Sequence, residues 1–171
     1  MLKYDAVLKL YKMKWTFKYF SFLFIALFIS SCSSDDHTDI DEQKPTISIH
    51  FADGFPQACE PLVKGETYIF KALVTDNKGL ASYSLDLHNN FDHHTHDDQN
   101  EVCDLEPIRE AVNPLIYMEN FTVTAGLTFY EINISITIPN DVDTGDYHCA
   151  YSVTDETGWQ SRTSIDIKIV D

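Results

Sequence analysis

The sequence predicts an all-β domain over residues 44–171, an immunoglobulin-like antiparallel β-sandwich of about seven strands. Apolar and polar residues alternate along several short segments, turn residues separate these segments, and no long helical period occurs. The domain has about 128 residues, close to the size of one immunoglobulin-like unit. Short strands at regular spacing are typical of a sandwich rather than of a parallel α/β sheet.

The predicted strands follow one another between glycine-containing turns. They lie at residues 46–51, 68–75, 83–88, 116–123, 129–138, 147–153 and 164–170. Alternate residues of a strand point to opposite faces, so the isoleucines of the fifth strand should face a core built from the apolar positions of the third and sixth. A Thr-Asp-x-x-Gly turn pattern occurs twice, at residues 75–80 and 154–159, where each aspartate can bond its own turn.

The N-terminal residues have the pattern of a lipoprotein signal. Lys14 and Lys18 precede an apolar run at residues 20–29, and two serines lead to Cys32. This combination is typical of a secretory signal peptide, and the apolar run is too short for a mature membrane helix. We predict a signal peptide at residues 1–31, with Met13 as the better start, and a lipid on Cys32; an ordinary secretory signal is the alternative.

Residues 32–43 are predicted to form an acidic flexible tether, because they offer almost no apolar surface to bury. The serine and acidic run at residues 33–36 resembles the export signal of surface lipoproteins of the Bacteroidota type. That resemblance implies an outer-membrane lipoprotein exposed at the cell surface, with the periplasmic face as the alternative. The first predicted partner is therefore the outer membrane itself, through the lipid on Cys32.

The charge balance limits the other partners. The chain carries a net charge of −15, and residues 1–31 hold five lysines and one aspartate, so their removal takes the net charge to −19. Such an acidic domain is a poor partner for nucleic acid or anionic membrane surfaces. Cations, including metal ions, are natural ligands for it.

The loop after the third predicted strand carries the candidate site. Four of the seven histidines and three aspartates fall within residues 88–98. Imidazole and carboxylate are good zinc ligands, and residues two apart in an extended segment project to the same side. We predict a divalent metal, zinc first and copper or nickel as alternatives, bound by His88, Asp92, His93, His94, His96 and His148. A pH-responsive or protein-contact loop and a plain polar loop are the other interpretations.

The remaining three cysteines predict one disulfide. Lipidation uses Cys32, and Cys149 lies on the apolar face of a strand, where it is the best candidate for a buried thiol. Cys59 and Cys103 both lie in loops, so a bond between them would fix the histidine loop near the exit of the first strand. A thiolate pair binding metal is the alternative.

Three segments resemble one known family. YSLDLHNNFDHHTH at residues 83–96, VDTGDYH at residues 142–148 and DETGW at residues 155–159 are similar to the lipoprotein family described as domain of unknown function 4625. The resemblance implies a surface lipoprotein with an immunoglobulin-like domain. It implies no activity.

The residues favour a binding module over an enzyme. The chain has no Gly-x-Ser-x-Gly, phosphate loop, His-Glu-x-x-His or nucleotide fingerprint. We therefore predict a lipid-anchored module that binds a divalent metal and serves an outer-membrane uptake system, with an outer-membrane transport protein as partner. The alternative is a structural or adhesive module without metal.

Overall fold

The structure, a computed structural model, describes residues 40–96 and 103–171. The predicted signal peptide, Cys32 and most of the predicted tether lie outside these residues. Within them, all regular structure is β-strand, arranged as eight strands in two sheets, which confirms the predicted all-β sandwich. No helix in this part of the chain is long and apolar enough to cross a membrane.

The two sheets differ in size. The smaller has the order β1-β3-β6 and the larger the order β2-β8-β7-β4-β5. In chain order the strands are β1 (Thr46–Ser48), β2 (Glu60–Val63), β3 (Thr67–Thr75), β4 (Leu80–Asn89), β5 (Tyr117–Thr122), β6 (Phe129–Thr137), β7 (Gly145–Asp155) and β8 (Gln160–Val170).

The core lies between the inward faces of the two sheets, as the alternation predicts. The isoleucines of β6 at positions 132, 134 and 136 are buried, while the residues between them are exposed. Opposite them lie the apolar positions of β4 and β7, which include the fully buried Leu85 and Tyr151. Tyr83 of the larger sheet meets Tyr130 of the smaller one at 5.5 Å between ring centroids. One continuous core therefore joins the sheets.

The strand β2 departs from the prediction. Its four residues are too few to display an alternating pattern, and they pair with β8 in parallel, whereas every other strand pair is antiparallel. Leu62 is fully buried and holds this short strand against the core. The sandwich is thus mixed at one edge of its larger sheet, and not purely antiparallel as expected.

The described residues between β4 and β5, 90–96 and 103–116, cover part of the outer face of the larger sheet. Cys103 in this segment forms a disulfide with Cys59, which precedes β2. Further along, the backbone N–H of Glu106 donates to Asp146 Oδ2 at 2.7 Å, and Arg109 stacks on Phe91 at 4.0 Å. The disulfide predicted from the cysteine count is therefore present, and it fixes this segment on the sheet that carries the histidines.

Cys149, the third cysteine of the domain, is a free and fully buried thiol. Burial raises its pKa well above the usual value. The thiol therefore stays protonated and acts as a small apolar core side chain.

Candidate metal centre

A row of polar residues crosses three strands on the outer face of the larger sheet. His88 of β4 pairs in register with His148 of β7, and His148 pairs with Asp166 of β8. His148 and Asp166 are almost fully buried, because described residues between β4 and β5 fold over this face. These three strands thus form the surface on which the histidine loop packs.

Three histidine rings meet on this surface, one from β4 and two from the loop that follows it. The Nε2 atom of His88 lies 3.2 Å from Nε2 of His94 and 3.2 Å from Nε2 of His96. All three residues offer a nitrogen within 4.8 Å of the others, so one ion can contact all of them. Three of the six predicted ligands, His88, His94 and His96, therefore lie together.

Carboxylates orient two of the three rings. Asp86 Oδ1 lies 3.1 Å from His88 Nδ1, and Asp92 Oδ1 lies 2.6 Å from His94 Nδ1. An ionised carboxylate only accepts hydrogen bonds, so each Nδ1 donates its proton and Nε2 is the nitrogen that each ring turns toward the cluster. A cation between the two Nε2 atoms, which lie 3.2 Å apart, could bind a lone pair from each ring.

The spacing of the nitrogens fits tetrahedral zinc. Zinc binds imidazole nitrogen at about 2.0–2.1 Å, and two ligands at the tetrahedral angle are then about 3.3 Å apart. The Nε2 pairs of His88 with His94 and of His88 with His96 are separated by 3.2 Å. A tetrahedral zinc ion held by three imidazoles keeps a fourth coordination position for water or another ligand.

His148 supports the cluster without presenting a nitrogen to its centre. Its ring lies 4.6 Å from the His96 ring, but its Nε2 donates to the backbone carbonyl of His94 at 3.2 Å. Its Nδ1 faces Asp166 Oδ1 at 2.8 Å, an ion-pair distance without the alignment of a hydrogen bond. Burial lowers the pKa of His148, while the His94 carbonyl and Asp166 act against that change. His148 thus positions His94.

Two further predicted ligands have other contacts. His93 has a positive φ of 60°, and its Nε2 lies 2.7 Å from the Glu106 carbonyl, so its ring is directed away from the cluster. Asp92 is bonded to His94 Nδ1 and is exposed, and this hydrogen bond holds the pKa of Asp92 below its usual value. Asp92 therefore orients a ligand.

A cavity of about 310 Å³ adjoins the cluster on the outer face of the larger sheet. His88 and His96 form part of its wall, together with Met118, Asn120 and Arg162. A fourth ligand on a bound metal could therefore reach the site from this cavity. Arg162 adds a positive charge to the wall.

Sequence reasoning missed Asp86 and Asp166. Asp86 lies two positions before His88 on the same strand face, so the alternation contains the signal that could have identified it. Asp166 carries no such signal, because only the register between β7 and β8 brings it to His148.

Fold and site together define a β-sandwich domain with a three-histidine cluster on the outer face of its larger sheet. The chain belongs to the family described as Domain of unknown function (DUF4625), whose model matches residues 30–170. The three segments that resemble this family, at residues 83–96, 142–148 and 155–159, all lie within the matched range.

Outside this family, the chain has a distant structural likeness to a protein of known structure. No curated protein matches the chain. A crystal structure of Spo0M, a sporulation control protein from Bacillus subtilis, is similar at 10% identity with a TM-score of 0.39. The alignment covers 75% of this chain and 49% of that one, so the chain spans about half the length of that protein. A likeness of this degree carries no functional argument.

Proposed function

We propose that this protein is a lipid-anchored binding module that holds a divalent metal, with zinc first, through His88, His94 and His96. The observation that carries the proposal is the convergence of three Nε2 atoms whose opposite ring nitrogens are, in two cases, bonded to carboxylates. Carboxylate–histidine–metal arrangements of this kind fix the ring and raise the basicity of the ligand.

Zinc is the first choice because imidazole ligands at tetrahedral spacing suit it, and copper or nickel are the alternatives. The adjoining cavity supports an accessible metal that exchanges a fourth ligand, as capture and transfer require. We propose binding and not catalysis, since the chain contains no recognised catalytic motif. Delivery to an outer-membrane transport protein is the role that we infer for the captured metal.

A second candidate is an adhesive module without metal. It is favoured by exposed apolar side chains on the segment that covers the larger sheet and on the neighbouring edge strand β5, namely Ile108, Val112, Ile116 and Met118. Exposed apolar side chains of this number along one segment and an edge strand are available for protein contacts. The metal experiment separates the two candidates, because only the first requires a saturable metal site.

Zinc titration of the purified, metal-free protein tests the proposal. We expect one saturable site that binds zinc more tightly than about 100 μM, observed by calorimetry at neutral pH. The double variant His94→Ala, His96→Ala should lose the binding, because a single imidazole cannot hold the ion. Below the ordinary imidazole pKa of about 6.5, zinc binding should weaken, since protons compete for the lone pairs.

The matched control is His93→Ala. It removes a histidine from the same loop but outside the cluster, so zinc affinity should remain close to that of the unaltered protein. No saturable site, or binding that survives the double variant, would refute the metal proposal and leave the adhesive module.

The lipid anchor has its own test. Cells expressing the chain and fed a palmitate analogue should label the protein, and Cys32→Ala should abolish the label while leaving an unprocessed precursor. The serines before Cys32 and the apolar run support this expectation. An unlabelled wild-type protein would contradict both the anchor and the membrane location. Protease treatment of intact cells then distinguishes the cell surface from the periplasmic face.

A further inference from the structure

Three aspartates from distant parts of the sequence meet beside the start of β4. Asp76 and Asp155 are the aspartates of the repeated Thr-Asp-x-x-Gly turns, and Asp41 comes from the segment that precedes β1. One carboxylate oxygen of each lies within 4.8 Å of the others. His88 is eight residues further along β4, or about 26 Å, so this carboxylate cluster is separate from the histidine cluster.

Hydrogen bonds hold each carboxylate in place, and in Asp76 and Asp155 they reach only one of the two oxygens. Asp76 Oδ2 accepts from the backbone N–H groups of Lys78 and Gly79, at 2.7 and 2.8 Å. Asp155 Oδ1 accepts from the backbone N–H groups of Thr157 and Trp159, at 2.8 and 2.9 Å. These bonds orient both side chains without using their second oxygens.

Asp41 is oriented in the same way. Its Oδ1 accepts from the Gln43 backbone at 3.1 Å and from Asn77 Nδ2 at 3.0 Å, and its Oδ2 accepts from Thr157 Oγ1 at 3.4 Å. The hydrogen bond from Gln43, followed by that from Asn77, holds the pKa of Asp41 below its usual value, with a smaller effect from the charge of Lys78. Asp41 is therefore ionised at neutral pH although it is only 6% exposed.

Two of the remaining oxygens are buried without a partner. Asp155 is 1% exposed, and its Oδ2 has no hydrogen-bond partner; the same holds for Asp76 Oδ1. A buried carboxylate oxygen without a donor is costly, and three negative charges at this spacing repel one another. The Lys78 charge offsets only part of that repulsion, since it is one charge against three. A divalent cation would satisfy the oxygens and remove the repulsion.

We propose that Asp41, Asp76 and Asp155 bind one calcium ion. The donors are oxygens only, as calcium prefers, and zinc would favour the nitrogen-rich histidine cluster instead. Calcium accepts six to eight oxygen ligands in an adaptable geometry, whereas magnesium demands a near-ideal octahedron and keeps several of its waters. Three carboxylates contributed by three separate segments, with one oxygen of each within 4.8 Å of the others, therefore suit calcium better.

Calcium at this position would fasten the segment before β1 to the body of the domain. The Trp159 indole Nε1 donates to the Asp41 carbonyl at 2.9 Å, and Lys44 Nζ lies 5.9 Å from the centre of the Trp159 ring. Trp159 thus contacts the residues that lead out of the predicted tether. The ion would set where the tether ends and the rigid domain begins.

Thermal melting of the purified protein, with and without calcium after chelator treatment, tests this inference. The wild-type protein should melt at a higher temperature in about 10 mM calcium, a concentration that saturates even weak extracellular sites, because the ion binds only the folded state. Asp41→Asn should abolish the calcium shift. In calcium-free buffer this variant should melt no lower than the wild type, because one of three repelling charges is gone.

Two controls make the result specific. Asp143→Asn alters a loop aspartate that likewise accepts two backbone N–H groups, from Val112 and Asn113, but lies outside the cluster, so its calcium shift should persist. The variant His94→Ala, His96→Ala should also keep the shift. No calcium shift in the wild type, a shift that survives Asp41→Asn, or an Asp41→Asn variant that melts lower to the same extent with and without calcium would overturn the proposal.

Discussion

Removing the Cys59–Cys103 disulfide should lower the free energy of unfolding by about 4 kcal/mol in the chain-entropy model. The two cysteines are 44 residues apart, so the bond restricts a long loop of the unfolded chain. That loop includes β3, β4 and the described histidines up to His96.

The same substitution should also weaken zinc binding, because the disulfide is joined to the site by a chain of contacts. Cys59 and Cys103 both donate their backbone N–H groups to Asp166, at 2.8 Å to its carbonyl and 3.4 Å to Oδ2. Asp166 faces His148, which donates to the carbonyl of His94. A freed loop must be ordered again when zinc binds, and the lost entropy reduces affinity.

Urea denaturation of the metal-free double variant Cys59→Ser, Cys103→Ser measures the first effect, and calorimetry with zinc measures the second. Cys149→Ala serves as the control, since it removes a cysteine without opening the disulfide. Peptide mapping under non-reducing conditions identifies the pairing. A double variant as stable as the wild type, or a map that contains Cys149 in the disulfide, would show that the pairing has no such role.

The alternation of apolar residues was sufficient to predict the fold, because a strand buried on one face has an apolar residue at every second position. The isoleucines of β6 illustrate this: each second residue is buried and each residue between is exposed. An alternating pattern is recognisable only over several residues. The strand β2 has only four, so neither its existence nor its parallel pairing could be predicted.

The site could be predicted only in part, since ligand density identifies a loop but not the direction of each ring. His93 and His94 are adjacent and chemically identical, yet a positive φ at His93 directs one ring to Glu106 and leaves the other in the cluster. Positions that depend on strand register or on distant segments, such as Asp166 and Asp41, leave no local signal.

Replacing Asp86 with asparagine should reduce zinc affinity about 10- to 100-fold, the usual effect of losing a carboxylate that orients a metal-binding histidine. Asp86 does not contact the predicted ion. It accepts the Nδ1 proton of His88, which holds the Nε2 lone pair toward His94 and His96. A neutral amide accepts this proton less strongly and can present its own N–H group instead, so His88 would lose both its fixed tautomer and its basicity.

Calorimetry with zinc, paired with urea denaturation of the metal-free protein, separates this positioning role from a merely structural one. Asp86→Asn should change the affinity and leave the free energy of unfolding within about 1 kcal/mol, because the carboxylate is on the outer face of β4. Asp86→Glu, which keeps a carboxylate, should restore part of the affinity. Glu131→Gln is the matched control, since it removes the same charge from an exposed position on the other sheet. Equal losses of affinity in Asp86→Asn and Glu131→Gln would mean that overall charge, and not the orientation of His88, governs binding.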